Sequence, residues 1–313
     1  MRKLILLALL TFTVWANAHI FVYHRFGDSE HASTNTSLEI LRAEFEYFKN
    51  NGYTVIPLSQ LADAFKNNTP IDPKWVVLTI DDSYKSFYEN GLPLFKEYGY
   101  PFTLFFYIEA TEKHYRDYMT LEQIKECSKY GEIGLHSYGH EHMVSMTADA
   151  IREDTRKGIA YFETYLGYRP KYYAYPFGEY DEKVRSIVES FGFELIINQN
   201  SGAIDNHSDP HDLDRTALTG ENSVARKLRI KTLPTTWIAP RSWPADGKLK
   251  TIHATIPKNI TNLEYYVSGY GWQRVKAHDG EVKAETDLPL KFERTRIFLK
   301  QGNRQSSIIL VKE

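Results

Sequence analysis

The sequence predicts an α/β domain followed by a small all-β domain, and three observations support this prediction. Strand-like and helix-like apolar patterns alternate from residue 19 to about residue 230. Continuous apolar runs such as Trp75–Ile80 are typical of strands that are buried on both faces of a parallel sheet. After residue 230, short β-rich segments separated by Pro, Gly and Asn replace the amphipathic helices. We therefore assign residues 19–230 to the α/β domain and residues 231–313 to a sandwich-like, β-rich accessory domain.

The elements of the α/β domain can be predicted in order along the chain. The first helix begins at Thr36 or Ser37 and stops at Gly52, and Ser59 is expected to cap the second helix. Predicted strands cover residues 19–23, 54–56, 75–80, 102–108, 133–135, 172–175 and 194–197, and later helices cover 121–130, 148–166 and 182–191. About seven strands alternating with helices fit either a βα barrel or a doubly wound sheet.

Charge and cysteine content exclude several classes of function. The chain has 38 Lys+Arg against 40 Asp+Glu, which gives no basic surplus of the kind that binds nucleic acid. Residues 231–313 carry a formal charge of +6 and residues 19–230 carry −10, which supports the domain boundary. Cys127 is the single cysteine, so it cannot form an internal disulfide or a cysteine zinc site. Any metal site must therefore use His, Asp or Glu.

The first 18 residues have the pattern of an export signal. Arg2 and Lys3 precede an apolar run from Leu4 to Val14, and Ala16-Asn17-Ala18 forms a small-x-small cleavage site. The run is shorter than the ~20 residues of a spanning helix, although an uncleaved membrane anchor is the alternative. We predict cleavage after Ala18, export to the periplasm or the extracellular space, and membrane contact only through this signal.

Polar residues follow three of the predicted strands, where parallel-strand enzymes place their reactive groups. These segments are Asp81-Asp82-Ser83, His136-Ser137-Tyr138-Gly139-His140 and Pro176-Phe177-Gly178. An aspartate pair and an HxxxH pair can supply three ligands for a divalent ion and leave one carboxylate as a base. Each segment alone is more typical of a solvated or capping loop. Together, at strand ends, they predict a metal site.

The three segments resemble the motifs of the polysaccharide deacetylase family, also called the NodB homology domain. That family combines an aspartate pair of the TFDDG type, an H-[S/T]-x-x-H motif and a later proline-aromatic-glycine turn. The corresponding segments here are Thr79–Ser83, His136–His140 and Tyr173–Gly178. Their order and spacing fit, and the resemblance covers about residues 19–220. It implies a distorted (β/α)7 barrel, followed here by the small all-β domain.

The resemblance also implies a role for each motif residue. Asp82, His136 and His140 would bind a divalent metal ion, with zinc as the first choice and nickel or cobalt as the alternatives. Asp81 would be the general base, and the Phe177 backbone N–H would help to hold the oxyanion. The implied reaction is the hydrolysis of an N-acetyl group, in which water is activated and the tetrahedral oxyanion is stabilised.

The leaving amine must be protonated, and the usual family acid is a histidine in a late leucine-rich motif that this sequence lacks. The segment Phe21–Arg25 is similar to the start of extracellular poly-N-acetylglucosamine deacetylases, in which the motif order is permuted and an N-terminal strand supplies the acid. His24 is therefore our candidate acid, expected across the cleft from Asp81. The alternative is that His24 only bonds a backbone group at the end of its strand.

Two positions depart from the family pattern. Ser83 replaces the glycine that usually follows the aspartate pair, and Ala174 replaces the arginine that usually orients the catalytic aspartate. Arg215 is a candidate to substitute for that arginine from a later strand.

These observations favour an exported, metal-dependent de-N-acetylase that acts on a β-linked N-acetylglucosamine polymer. Peptidoglycan, chitin-like oligomers or O-acetyl esters are alternative substrates. A different class of function is an inactive glycan-binding or export-scaffold module. The aromatic residues of the β-rich domain, Trp272 among them, would either form its core or stack on sugar rings. The oligomeric state is not predicted.

Overall fold

The computed structural model describes residues 17–220 and 223–312. Its first domain is built on a curved, parallel sheet in the strand order β10-β1-β5-β6-β7-β8-β9, with β4 paired to the start of β5, while β2 and β3 form a separate parallel pair. The strands are β1 (His19–Tyr23), β2 (Arg25–Phe26), β3 (Asn35–Thr36), β4 (Thr54–Val55), β5 (Trp75–Ile80), β6 (Thr103–Phe106), β7 (Glu132–Leu135), β8 (Tyr172–Ala174), β9 (Leu195–Ile197) and β10 (Thr216–Ala217).

The segment from Leu213 to Ala217 joins the two edges of this sheet. Leu213 forms a parallel bridge with Ile197 of β9, and β10 then pairs with β1. Seven strands thus enclose a distorted barrel, which confirms the predicted (β/α)7 fold and decides against a doubly wound sheet.

Helices connect most of these strands. They are α1 (Leu38–Asn50), α2 (Leu58–Lys66), α3 (Leu92–Tyr98), α4 (Ile108–Glu112), α5 (Leu121–Cys127), α6 (Ala148–Tyr161), α7 (Glu182–Glu189) and α8 (Val224–Lys227). The Ser37 hydroxyl caps α1 by accepting a hydrogen bond from the Ile40 N–H. Of the two predicted starting residues, Thr36 and Ser37, the second is therefore correct. The predicted Ser59 cap is wrong, because α2 already begins at Leu58 after Pro57. The strand that was predicted to reach Ile108 ends at Phe106, because α4 starts at Ile108.

Both faces of the parallel sheet are buried. All five residues of β1 are buried, and alternate residues contribute to two different apolar clusters. Ile20 packs with α2 in one cluster, while Phe21 packs in the other with the helices that surround the barrel. This double burial explains why β1 and β5 are continuous apolar runs in the sequence.

The second domain is a curled, mixed sheet of eight strands in the order β11-β18-β17-β14-β15-β16-β13-β12. Its strands are β11 (Lys231–Thr232), β12 (Thr236–Ala239), β13 (Lys248–Thr255), β14 (Asn262–Val267), β15 (Gly271–His278), β16 (Glu281–Pro289), β17 (Arg294–Gln301) and β18 (Arg304–Val311). The sheet encloses its own apolar cluster, which includes Ile252, Val267 and Ile297. The predicted all-β domain is confirmed, although the polar strands β15 and β16 could not be recognised by apolar alternation.

The predicted signal peptide falls almost entirely outside the described residues, which start at Asn17. Asn17 and Ala18 take part in the fold: the Asn17 side chain accepts a hydrogen bond from the Thr232 N–H at 2.7 Å, and Ala18 exchanges backbone bonds with Ile204. The two residues before the predicted cleavage position therefore tie β1 to both domains. Across residues 17–220 and 223–312, none of the helices combines the length and the apolar character that a membrane span needs.

Candidate active site

Three side chains with metal-binding atoms converge at the carboxyl ends of β5 and β7. Asp82 follows β5, and His136 and His140 follow β7. The Asp82 Oδ1 atom lies 3.2 Å from His136 Nε2 and 3.0 Å from His140 Nε2. One ligand atom from each residue lies within 4.8 Å of the others, and within the described chain no other group of three such side chains does.

The chemistry of these donors fits a divalent ion. The His136 Nδ1 atom lies 2.8 Å from the Ala174 carbonyl oxygen, which can only accept, so Nδ1 carries the proton and Nε2 keeps its lone pair. Burial raises the pKa of Asp82, but hydrogen bonds from the two histidine rings, when these are protonated, outweigh burial and hold that pKa well below its usual value. In the neutral rings that a metal ion binds, the Nε2 atoms carry lone pairs instead. A carboxylate and two imidazole nitrogens form a set that zinc and similar ions accept.

The backbone around this cluster is strained. Of the eight described residues other than glycine with positive φ, five lie in the three motif segments: Asp82, Ser83, Ser137, His140 and Phe177. Each such residue costs about 1–3 kcal/mol and persists only where its surroundings fix it. Ser83, with φ of 61°, occupies the position where the family pattern has glycine, which adopts this conformation without strain.

Asp81 is fully buried and is held by Arg215. The Arg215 Nη1 and Nη2 atoms donate to Asp81 Oδ1 and Oδ2 at 2.7 and 2.5 Å, and Nε donates to the Asn198 carbonyl at 2.8 Å. Burial opposes ionisation, but the Arg215 charge outweighs it and keeps the pKa of Asp81 below its usual value. Arg215 thus pairs with Asp81, as expected of a substitute for the arginine that Ala174 replaces, and it reaches Asp81 from the segment that closes the barrel.

His24 lies at the same end of the barrel as Asp81. Tyr23 and Ile80 are in register on β1 and β5, and the Asp81 N–H donates to the Tyr23 carbonyl at 3.0 Å. The backbones of His24 and Asp81, each directly after its strand, are therefore neighbours at this end of the barrel. The His24 Nδ1 atom is buried without a hydrogen-bond partner in the described structure. Burial lowers the pKa of His24, and the nearby Asp82 and Asp81 oppose that shift.

The Pro176–Gly178 turn forms the wall next to His140. Phe177 has φ of 58°, and its ring centroid lies 4.5 Å from that of His140. Gly178 is required by space as well as by its φ of 68°, because a Cβ there would lie 2.3 Å from the Gln199 Cβ. The His142 ring stacks on the Phe177 ring at 4.1 Å with an angle of 8°.

Half-buried tyrosines border the other side of the metal-binding cluster. The Tyr107 ring lies 5.1 Å from the His140 ring, and Tyr118 contacts both Tyr107 and Tyr84. The site thus opens between aromatic side chains that can pack against a flat, partly apolar ring.

Comparison with known proteins agrees with this geometry. Residues 68–196 match the sequence profile of the family described as polysaccharide deacetylase. The chain contains a polysaccharide deacetylase domain. The matched residues include the aspartate pair, the HxxxH motif and the Pro176–Gly178 turn, while Arg215 lies beyond them.

Two curated relatives have the same domain. YxkH of Bacillus subtilis, named for polysaccharide deacetylation, is 24% identical over 210 residues, which cover 65% of this chain and 72% of YxkH. The poly-β-1,6-N-acetyl-D-glucosamine N-deacetylase of Escherichia coli is 22% identical over 219 residues, which cover 56% of this chain. The match spans only 32% of that enzyme.

Solved structures share the fold of the deacetylase domain. The Streptococcus pyogenes deacetylase PplD, in complex with acetate, has a TM-score of 0.61 and 22% identity, and the match covers 66% of this chain and 94% of PplD. IcaB from Ammonifex degensii has a TM-score of 0.59 and 24% identity, and the match covers 66% and 93% of the two chains.

The sequence analysis missed a second set of residues around the Pro176–Gly178 turn. Glu179 is 2% exposed, and its Oε2 atom lies 2.7 Å from His142 Nδ1. Arg294 and Arg296 reach this region from the β-rich domain. The available signal was the i, i+2 spacing of Arg294 and Arg296 at the start of a β-rich segment, a spacing that places both side chains on one face of a strand.

Proposed function

We propose that this protein is a metal-dependent hydrolase that removes N-acetyl groups from a polysaccharide containing β-linked N-acetylglucosamine. The observation that carries the proposal is the convergence of Asp82, His136 and His140 beside a buried, arginine-paired Asp81. The similarity to the E. coli poly-β-1,6-N-acetyl-D-glucosamine N-deacetylase supports the substrate class. The N-terminal sequence pattern supports export, in keeping with a polymer outside the cell.

Asp82, His136 and His140 would hold the divalent ion. Such an ion would lower the pKa of a bound water molecule and polarise the acetyl carbonyl. The buried Nδ1–H contact of His136 with the Ala174 carbonyl fixes the ring orientation, which keeps Nε2 directed at the shared ligand position.

Asp81 would accept the proton of the attacking water. Its carboxylate stays ionised because Arg215 pairs with both oxygens, and it is fixed in orientation by the same two contacts. A base must be deprotonated and correctly aimed before the reaction starts, and Arg215 provides both conditions.

His24 would protonate the amine that leaves. Its position beside Asp81, at the end of β1, brings an imidazole to the same end of the barrel. The buried Nδ1 atom without a partner leaves the ring free of a competing bond at that nitrogen. The Phe177 backbone N–H, in the turn next to His140, would contribute to oxyanion stabilisation.

The aromatic border of the site favours a sugar ring over a peptide chain. Tyr107 lies beside His140, where the acetylated unit would be bound, and the half-buried rings of Tyr118 and Tyr84 continue outward from it. Stacking on these rings would orient the sugar without a charged group, as a neutral N-acetylglucosamine requires.

Acetate release from a panel of substrates tests this proposal. The panel contains poly-β-1,6-N-acetylglucosamine, chitin oligomers, peptidoglycan and an O-acetylated xylan, and the control is the H140A variant. We expect release from the β-linked N-acetylglucosamine polymer and none from the control. No release from any member, or equal release by H140A, would contradict the proposal. Preference for the xylan would contradict the substrate class, because xylan contains no N-acetylglucosamine.

A further inference from the structure

Strand β17 of the β-rich domain contacts the catalytic turn of the deacetylase domain. Successive side chains of a strand point to opposite faces. Thr295 and Ile297 are buried on the side of the β-rich core, so Arg294 and Arg296 lie on the other face. That face meets the deacetylase domain, where both guanidinium groups bond backbone carbonyls.

Arg294 completes a ring of contacts around the turn. Its Nη2 atom donates to the Phe177 carbonyl at 2.8 Å, and its Nε atom forms an ion pair with Glu179 Oε1 at 3.0 Å. Glu179 Oε2 in turn lies 2.7 Å from His142 Nδ1, and the His142 ring stacks on Phe177. The strained residue is thus held at its carbonyl and at its ring.

Arg296 supports the neighbouring segment. Its Nη1 atom donates to the Gln199 carbonyl at 2.8 Å. The Gln199 side chain packs against Gly178, and its Nε2 atom lies 3.5 Å from Asp81 Oδ2. Two arginines of one strand therefore fix two segments that border the site.

We propose that Arg294, supplied by the β-rich domain, is a positioning residue that holds the Pro176–Gly178 turn in its catalytic conformation. The proposal rests on the proposed function, because the turn acts through the Phe177 backbone N–H. The left-handed backbone of Phe177 persists only where its surroundings fix it, and Arg294 contacts both the carbonyl of that residue and its Glu179 support. The β-rich domain is then part of the catalytic machinery rather than only an accessory to it.

The R294M variant tests this role, because methionine keeps an apolar stem and removes the guanidinium. We expect kcat to fall about 10–100-fold with little change in KM or in bound metal, since a small displacement of a positioned group has this effect. R294K keeps one donor for the Phe177 carbonyl and should recover part of the rate.

The matched control is R241M. Arg241 also joins the two domains, through a 2.6 Å contact with Glu182, but both side chains are exposed and neither touches the turn. We expect R241M to retain the parent rate. An equal loss in R241M and R294M would show that domain docking, and not turn positioning, is responsible, and would overturn the proposal.

Amide hydrogen exchange of residues 177–179 gives a readout that does not depend on activity. We expect faster exchange in this segment for R294M and parent exchange for R241M. Unchanged exchange in R294M, or a parent kcat, would overturn the proposal. If the parent protein releases no acetate while R294M still exchanges faster, the proposed function fails and the structural role of Arg294 stands.

Discussion

The residues that hold the metal-binding cluster in place are closer in sequence than the residues that hold the groups around it. Asp82, His136 and His140 come from two short motifs at the ends of β5 and β7. Asp81, by contrast, is held by Arg215, which is 134 positions away. Phe177 is bonded by Arg294, which is 117 positions away and in the other domain. The proposed ligands thus come from short sequence motifs, with His136 oriented by the Ala174 carbonyl, whereas the proposed base and the proposed oxyanion turn are held by residues that are distant in sequence.

The largest effect on kcat is expected for D81N, a variant that separates proton transfer from metal binding. An amide cannot accept the proton of the attacking water, so we expect a loss of about 10⁴-fold in kcat. The three ligands are untouched, so bound metal should stay near the parent level. The test is to measure kcat and bound metal in D81N and in H140A. H140A should lose both activity and metal. A parent rate in D81N would show that another residue is the base.

Replacement of His24 should have the next largest effect. H24A should lose about 10²–10⁴-fold in rate, the usual contribution of a positioned acid, while glycan binding and metal content are retained. With substrates that have a better leaving amine, the difference in rate between H24A and the parent should be smaller. If the loss were the same for good and poor leaving groups, His24 would not be the acid.

A smaller effect is expected for R215K, which keeps the charge but not the paired geometry. Lysine can donate to only one Asp81 oxygen at a time, so the carboxylate loses its fixed orientation. We expect a loss of about 10–100-fold in kcat with an unchanged metal content. Loss of metal in R215K would show that the two parts of the site are not independent.

The smallest effect concerns stability, at the start of the strand that carries His24. Burial lowers the pKa of His19 to about 4, although a bond with the Leu228 backbone opposes this shift. The unfolded chain therefore binds more protons than the folded chain between pH ~6.5 and ~4. The contribution of His19 to stability is fully present above pH ~6.5 and falls by up to about 3 kcal/mol as the pH falls to ~4.

Urea unfolding between pH 7 and pH 5 measures this effect. H19F removes the titrating group, so the parent should lose more unfolding free energy than H19F over this interval. Equal slopes would show that His19 is solvated, and that the start of β1 is less firmly packed than the burial of this strand indicates.

Short-range patterns predicted the α/β domain, the all-β domain and the ligand cluster, whereas the choice of a barrel came from the resemblance to the polysaccharide deacetylase family. Continuous apolar runs indicate strands that are buried on both faces of the sheet. A motif that directly follows such a strand is expected at the carboxyl end of the sheet. The contact of Arg294 with Phe177 depends on how two domains pack, which no local pattern records. The α2 boundary was missed because the helix begins at Leu58, directly after Pro57, although Ser59 is the residue type that better caps a helix.

Metal-dependent acetate release most directly tests whether Asp82, His136 and His140 form a catalytic metal site. The protein is stripped with a chelator and titrated with zinc, nickel or cobalt, while bound ion and acetate release from poly-β-1,6-N-acetylglucosamine are measured together. We predict no release from the stripped protein, and a rate that rises with bound ion and saturates at one ion per chain. An undiminished rate in the stripped protein, or the same titration curve for H140A, would contradict the proposed site.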